Sequence, residues 1–228
     1  MADAALVGKG TSTSNTVTTA SGTTATGDTL IVSVTFDETT TISSVADSKG
    51  NSYTLVASVQ EGADGGSKVS MYRCEKAIGG TLHTATVNFS GTAFPVAYLV
   101  RLTDVAGSSY DAGSLASGQD TSSPFTVTSG TFAQADTVVI SSISNGHTSG
   151  TNGLFASSNF TVLGNESDFA NFWVGAVGKL VVSATTAVTP SWTRTGSGNR
   201  AALIVAGFKA AKAPPPFSRP PKFTRRAA

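Results

Sequence analysis

Apolar residues recur at every second position in short runs from one end of the chain to the other, the period of a strand with one buried face. In residues 29–36, Leu30, Val32, Val34 and Phe36 share a face. Residues 52–56 form a short run after the turn Asp47-Ser48-Lys49-Gly50-Asn51. In residues 68–74, Val69, Met71 and Arg73 alternate with Ser70, Tyr72 and Cys74, and in residues 84–89 Ala85, Val87 and Phe89 fall on one side. Residues 96–102 are apolar at nearly every position, which predicts a strand covered on both faces.

The same order then repeats. Ala135-Asp136-Thr137-Val138-Val139-Ile140 mirrors Gly27-Asp28-Thr29-Leu30-Ile31-Val32 at an offset of 108. Residues 159–163 stand in the place of 52–56, 170–177 of 68–74, 187–193 of 84–89, and 201–208 of the run ending at Leu102. Short strands at 16–19 and 125–128 precede the two copies. The reading is an all-β chain with a jelly-roll-like two-sheet sandwich built from an internal duplication. Its parts are an N-terminal extension (1–14), a sandwich (15–209) and an extended arm (210–228) rich in Pro and Arg. The pseudo-repeats are 15–106 and 124–209. The polar, Gly-rich stretch 107–123 either crosses between the sheets of one sandwich or links two small immunoglobulin-like ones.

Composition narrows the class. Of 228 residues, 13% are charged, about half the usual share, while Thr, Ser and Gly number 33, 30 and 24. β-Branched residues dominate over Leu, Glu and Lys, which argues against a helical bundle. No apolar run approaches the ~18 residues of a membrane-spanning helix. One cysteine, Cys74, excludes a disulfide scaffold. The start Met1-Ala2-Asp3-Ala4-Ala5-Leu6 lacks the basic and apolar regions of a secretory signal, yet the Thr/Ser/Gly-rich surface suits an extracellular working life. A virion protein, made in a cytosol and exposed after lysis, reconciles the two.

The residues of chemistry are few. His83 and His147 match no metal-ligand spacing and read as exposed loop residues. Cys74 reads as a small buried apolar group. Asp47-Ser48-Lys49-Gly50-Asn51 and Glu61-Gly62-Ala63-Asp64-Gly65-Gly66 lack the alternating ligands and closing Glu of a calcium loop, and their Asp and Asn read as turn closers. Trp173 and Trp192 fall in strand-like runs, whereas Tyr110 and Phe155 fall in loops and are the better surface aromatics. No catalytic residues, cofactor or metal ligands are predicted.

After Phe208 the composition changes. Residues 209–228 hold six cations and no acid, so against a whole-chain charge of +1 the preceding residues carry −5. Dense proline favours an extended, polyproline-like path that loses little entropy on docking. Pro214, Pro215, Pro216, Phe217, Arg219, Pro220, Lys222, Phe223, Arg225 and Arg226 are therefore the candidate partner-binding residues. An acidic protein groove suits them better than nucleic acid, which the acidic body would repel. The groove of a neighbouring copy is a further candidate.

The succession Gly27-Asp28-Thr29-Leu30, then Asp47-Ser48-Lys49-Gly50-Asn51-Ser52-Tyr53-Thr54, then Gly79-Gly80-Thr81 resembles a recurrent β-sandwich of phage and bacterial surface proteins, in particular virion structural proteins of tailed bacteriophages. The resemblance spans roughly residues 16–208 and rests on turn signals. It implies a non-enzymatic structural role and brings no catalytic residues with it. The expectation is a capsid decoration or cement protein on the particle surface, stabilising the head and anchored in part by its arm. Its partners would be the major capsid protein or another virion protein, and further copies of itself, with no membrane and no nucleic acid. The alternative is a receptor- or glycan-binding module of a phage tail or fibre, with exposed aromatics at one end. A hydrolase accessory domain is a third class.

Overall fold

The structure is a computed structural model that describes residues 1–62, 66–146, 154–169, 173–194 and 200–212. The first half supplies β1 (Asp3–Thr11), β2 (Thr16–Thr18), β3 (Gly22–Thr24), β4 (Thr29–Asp37), β5 (Ile42–Asp47), β6 (Thr54–Gln60), β7 (Ser67–Cys74), β8 (Gly80–His83), β9 (Ala85–Phe89) and β10 (Val96–Thr103). The second supplies β11 (Val105–Asp120), β12 (Phe125–Thr126), β13 (Thr137–Gly146), β14 (Phe155–Ser157), β15 (Thr161–Phe169), β16 (Trp173–Val182), β17 (Ser191–Arg194) and β18 (Ala201–Ala210). There is no helix among the described residues, and every strand pairing is antiparallel.

The duplication is visible in the strand order. One five-stranded sheet runs β1-β10-β4-β7-β6 and the other β11-β18-β13-β16-β15; the three-stranded sheets run β2-β9-β5 and β12-β17-β14. Each strand of one half thus has a counterpart in the other, except the added pair β3-β8.

The two five-stranded sheets stack face to face as a two-sheet sandwich. Its core joins Ile31, Met71, Tyr98, Val100 and Leu102 of one sheet to Ile140, Val177, Ile204, Ala206 and Phe208 of the other. Each large sheet also buries its outer face under a small one. Leu30, Val32, Val34 and Phe36 pack with Val87 and Phe89, and Ile143 and Leu203 pack with Phe125 and Trp192. This four-layer order explains why β10 and β18 are apolar on both faces. Each fully buried Leu, Ile or Val removes enough surface to contribute on the order of 2 kcal/mol.

Hydroxyls thread the central interface. Ser33 Oγ donates to Ser142 Oγ at 2.9 Å, Tyr98 Oη donates to the Gly175 carbonyl at 2.7 Å, and Ser67 Oγ lies 3.0 Å from Ser144 Oγ. Ser33 and Ser142 are counterparts that touch each other, which places a local pseudo-twofold axis between them. They also fix the equivalence in space. Ile31, Ser33 and Thr35 face inward on β4, as do Ile140, Ser142 and Ser144 on β13. The spatial offset is therefore 109, one residue from the Asp-Thr match at 108, and a one-residue slip exchanges the faces of a strand. The left-handed residues before the two strands, Gly27 (φ 97°) and Asp136 (φ 58°), keep the same offset of 109.

Two stretches differ from expectation. Residues 107–123 fall largely within β11, the sixteen-residue edge strand beside β18. Its register shifts between Val105 and Tyr110 and again between Asp111 and Ala116, and its buried positions include Ser109, Asp111 and Ser114, so no clean alternation marks it. The N-terminal extension likewise contains β1, the matching edge of the first large sheet.

Candidate functional site

The sequence-predicted arm residues, Pro214, Pro215, Pro216, Phe217, Arg219, Pro220, Lys222, Phe223, Arg225 and Arg226, lie outside the described residues, as does His147. What the structure does show is the surface from which the arm departs, and three polar clusters elsewhere.

The first cluster centres on Asp47, at the end of β5. Its carboxylate accepts bonds from the Lys49 and Asn51 backbone N–H groups at 2.9 and 3.0 Å, closing the predicted turn. Asn51 Nδ2 and Tyr53 Oη each donate to it at 2.8 Å. His83 Nε2 lies 2.9 Å from the same carboxylate, and His83 Nδ1 lies 2.6 Å from Thr24 Oγ1. Because a carboxylate only accepts, Nε2 carries a hydrogen and donates it to Asp47, and Nδ1 pairs with the Thr24 hydroxyl. Burial pushes the Asp47 carboxyl up, but the bonds from Asn51, His83 and Tyr53 outweigh it and bring the group down to about 2. The Tyr53 hydroxyl is driven upward by its burial and by the Asp47 charge.

An acid, an imidazole and a hydroxyl in series have the makings of a nucleophilic relay. Here the side chains of His83 and Asp47 are 0% exposed, and Thr24 is buried. Thr24 Oγ1 also accepts from Gly80 N–H. The relay joins β3, β5 and β8 and holds their loops together. His83 is therefore a buried core histidine, contrary to the exposed position expected of it. Thr24 and His83 are 59 residues apart, and no local pattern announces the pair. Cys74 is buried as expected; burial, with Asp47 and Glu75 nearby, raises its thiol above the ordinary range.

The second cluster bridges the halves at one pole. Glu61 Oε2 accepts from Gly146 N–H at 2.6 Å and from Ser67 Oγ at 3.0 Å. Its burial raises the carboxyl, and these bonds together with the Arg194 charge offset part of the rise. Arg194 Nη1 donates to Asn145 Oδ1 at 2.5 Å, while its Nε and Nη2 are buried without a hydrogen-bond partner among the described residues. In the third cluster the Arg73 guanidinium lies 4.1 Å over the Tyr110 ring, which packs on Phe208 at 5.8 Å. Tyr110 is thus half-buried, and Phe155 is buried edge-on to Trp192 at 6.2 Å. Neither forms the surface aromatic that a sugar platform needs. Among the described residues, no group of three or more His, Cys, Asp or Glu is gathered to hold a metal ion.

The opposite pole carries a cleft of about 660 Å³, lined by Ala2, Asp104, Ala135, Asp136, Val181 and Ala210 among others. The root of the arm forms part of its wall. Ala210 N–H donates to the Asp136 carbonyl at 2.9 Å, Ala211 N–H to the Asp104 carbonyl at 2.8 Å, and Gln134 Nε2 to the Ala210 carbonyl at 3.0 Å. Asp104 and Asp136 both hold left-handed backbone, with φ of 54° and 58°. Their side chains are exposed, which brings two carboxylates beside the departure point of a cationic arm. Sequence reasoning passed over both, because each reads as an ordinary turn acid until β10, β13 and β18 end together. No protein-family model, curated protein or solved structure matches this chain.

Proposed function

We propose that this chain is a non-enzymatic structural protein of a tailed-phage particle, a decoration or cement protein that stabilises the head and is anchored in part by its C-terminal arm. The observation that carries the reading is the clamped root. Three hydrogen bonds fix Ala210 and Ala211 at one pole, so a load on the arm passes directly into β18, an inner strand buried at every position but Lys209. The sealing of His83 and Asp47 inside the core supports a non-catalytic role. The duplicated, low-charge body suits side-by-side packing on a shell, with the major capsid protein or another virion component as partner.

The test is co-sedimentation with phage heads stripped of their surface proteins, comparing the full chain with one ending at Lys212, which keeps β18 and its clamp intact. The full chain should pellet and the shortened chain should stay in solution. If neither pellets, the decoration reading falls.

The second reading, a receptor- or glycan-binding module of a tail or fibre, draws on Arg194. Its Nε and Nη2, buried and without a hydrogen-bond partner among the described residues, form the side-on edge that suits a carboxylate. Binding of acidic sugars that is lost in Arg194→Ala would favour it.

A further inference from the structure

We propose that the cleft at the arm's root receives the arm of a second copy of this chain, so that copies associate by exchanging arms. This goes beyond the particle reading, since it concerns the chain alone.

The cleft and the arm match in chemistry. Apolar walls from Ala2, Ala135, Ala210 and Val181, the last 38% exposed, suit proline rings and the side chain of Phe217. The carboxylates of Asp104 and Asp136 suit Arg219 and Lys222. Asp136 has no ion pair among the described residues, and Asp104 meets only the amine of Met1, at 3.4 Å in an exposed pair. The sign of charge agrees at larger scale too, with six cations on residues 209–228 against −5 on the rest.

The arm's own sequence directs it away from its own cleft. Pro214, Pro215 and Pro216 begin two residues after Lys212. Each proline fixes its φ and disfavours the helical region for the residue before it, so a tight reversal within the run of three is disfavoured. A polyproline-like path of about 3.1 Å per residue would span roughly 50 Å over the sixteen residues after Lys212, far enough to reach a neighbour. The internal symmetry points the same way. The segment leaving β10 crosses to the opposing sheet as β11, whereas the corresponding place for a segment leaving β18 is already filled by β1.

Sedimentation velocity on the full chain over rising concentration tests the proposal. The expected result is self-association that weakens in molar salt, since the exposed pairs are screened. Asp104→Lys with Asp136→Lys should weaken association ~10-fold, as should Arg219→Glu with Lys222→Glu. A mixture of the two variants should recover it, because the reversed arm of one meets the reversed cleft of the other. A chain that stays monomeric, or association indifferent to the cleft variant, overturns the proposal. A second route uses Val181→Cys with Phe217→Cys under mild oxidation. Disulfide-linked bands of two or more chains support exchange. A disulfide closed within one chain assigns the cleft to its own arm and overturns exchange, and so does the absence of any bond. Neither result depends on binding to heads, so failure here and failure of the particle reading are separately visible.

Discussion

Asp47 shows how much of a residue's role depends on neighbours far along the chain. Its place in a turn follows from the local run of Asp, Ser, Lys, Gly and Asn, and the bonds to Lys49 and Asn51 realise it. The bond to His83, and the bond from His83 on to Thr24, do not follow, because they require β3, β5 and β8 to be assembled first. The shift has a direct consequence for acid stability. A carboxyl lowered to about 2 in the folded chain stabilises it at pH values above the unfolded pKa, and that contribution is lost as pH falls through 2. The contribution is about 2 kcal/mol. Urea unfolding between pH 5 and pH 2 should show Asp47→Asn losing less stability over this window than the parent, although it starts lower. Equal losses would mean that Asp47 is not the titrating group. Glu61 has the opposite sign. Its raised carboxyl makes stability fall as pH rises above the usual 4.5. Glu61→Gln keeps an acceptor for Gly146 and Ser67 and should flatten that fall, measured in the same way.

Among the elements, legibility followed regular register. Strands β4, β7 and β9 alternate cleanly because one face meets a small sheet or the central core in regular register, and the predicted faces of Leu30 to Phe36 and Ala85 to Phe89 are the observed ones. Strands β1 and β11 resemble an extension and a connection in sequence because edge strands tolerate bulges and small polar residues. The duplication was legible, but its phase was not. An Asp-Thr pair ahead of each strand drew the match to 108, while packing put the inward faces at 109. That phase is testable through Ser33 and Ser142. Removing either hydroxyl leaves the other buried and unpaired, and each single Ala variant should cost about 1–2 kcal/mol. The double variant should cost clearly less than the sum of the singles. Strict additivity would separate the two serines and remove the axis between them.

At the scale of the whole molecule, the choice between one sandwich and two small ones dissolves into four layers. The halves share their largest core, and each adds a small sheet of its own. Because Tyr98, Ile204 and Phe208 are buried only when the two large sheets meet, unfolding should be a single cooperative transition. Calorimetry should give matching calorimetric and van't Hoff enthalpies. Two resolved transitions would show that each half holds its structure alone. The arm and the cleft divided along the same line of legibility. The arm's chemistry could be read directly from its prolines, arginines and phenylalanines, whereas the cleft exists only where β10, β13 and β18 end together.

The local twofold between the halves has a last implication. It is the geometry of a homodimer, but one covalent link at Asp104 joins the two subunits' worth of chain. A pair of separate chains obeys mass action and comes apart on dilution. A short tether instead holds its two partners at an effective concentration in the millimolar range, however dilute the solution. Tethering also frees the halves from being identical. One has gained the β3-β8 pair and the network around Asp47, and the other has Trp192 bonded to Ser141.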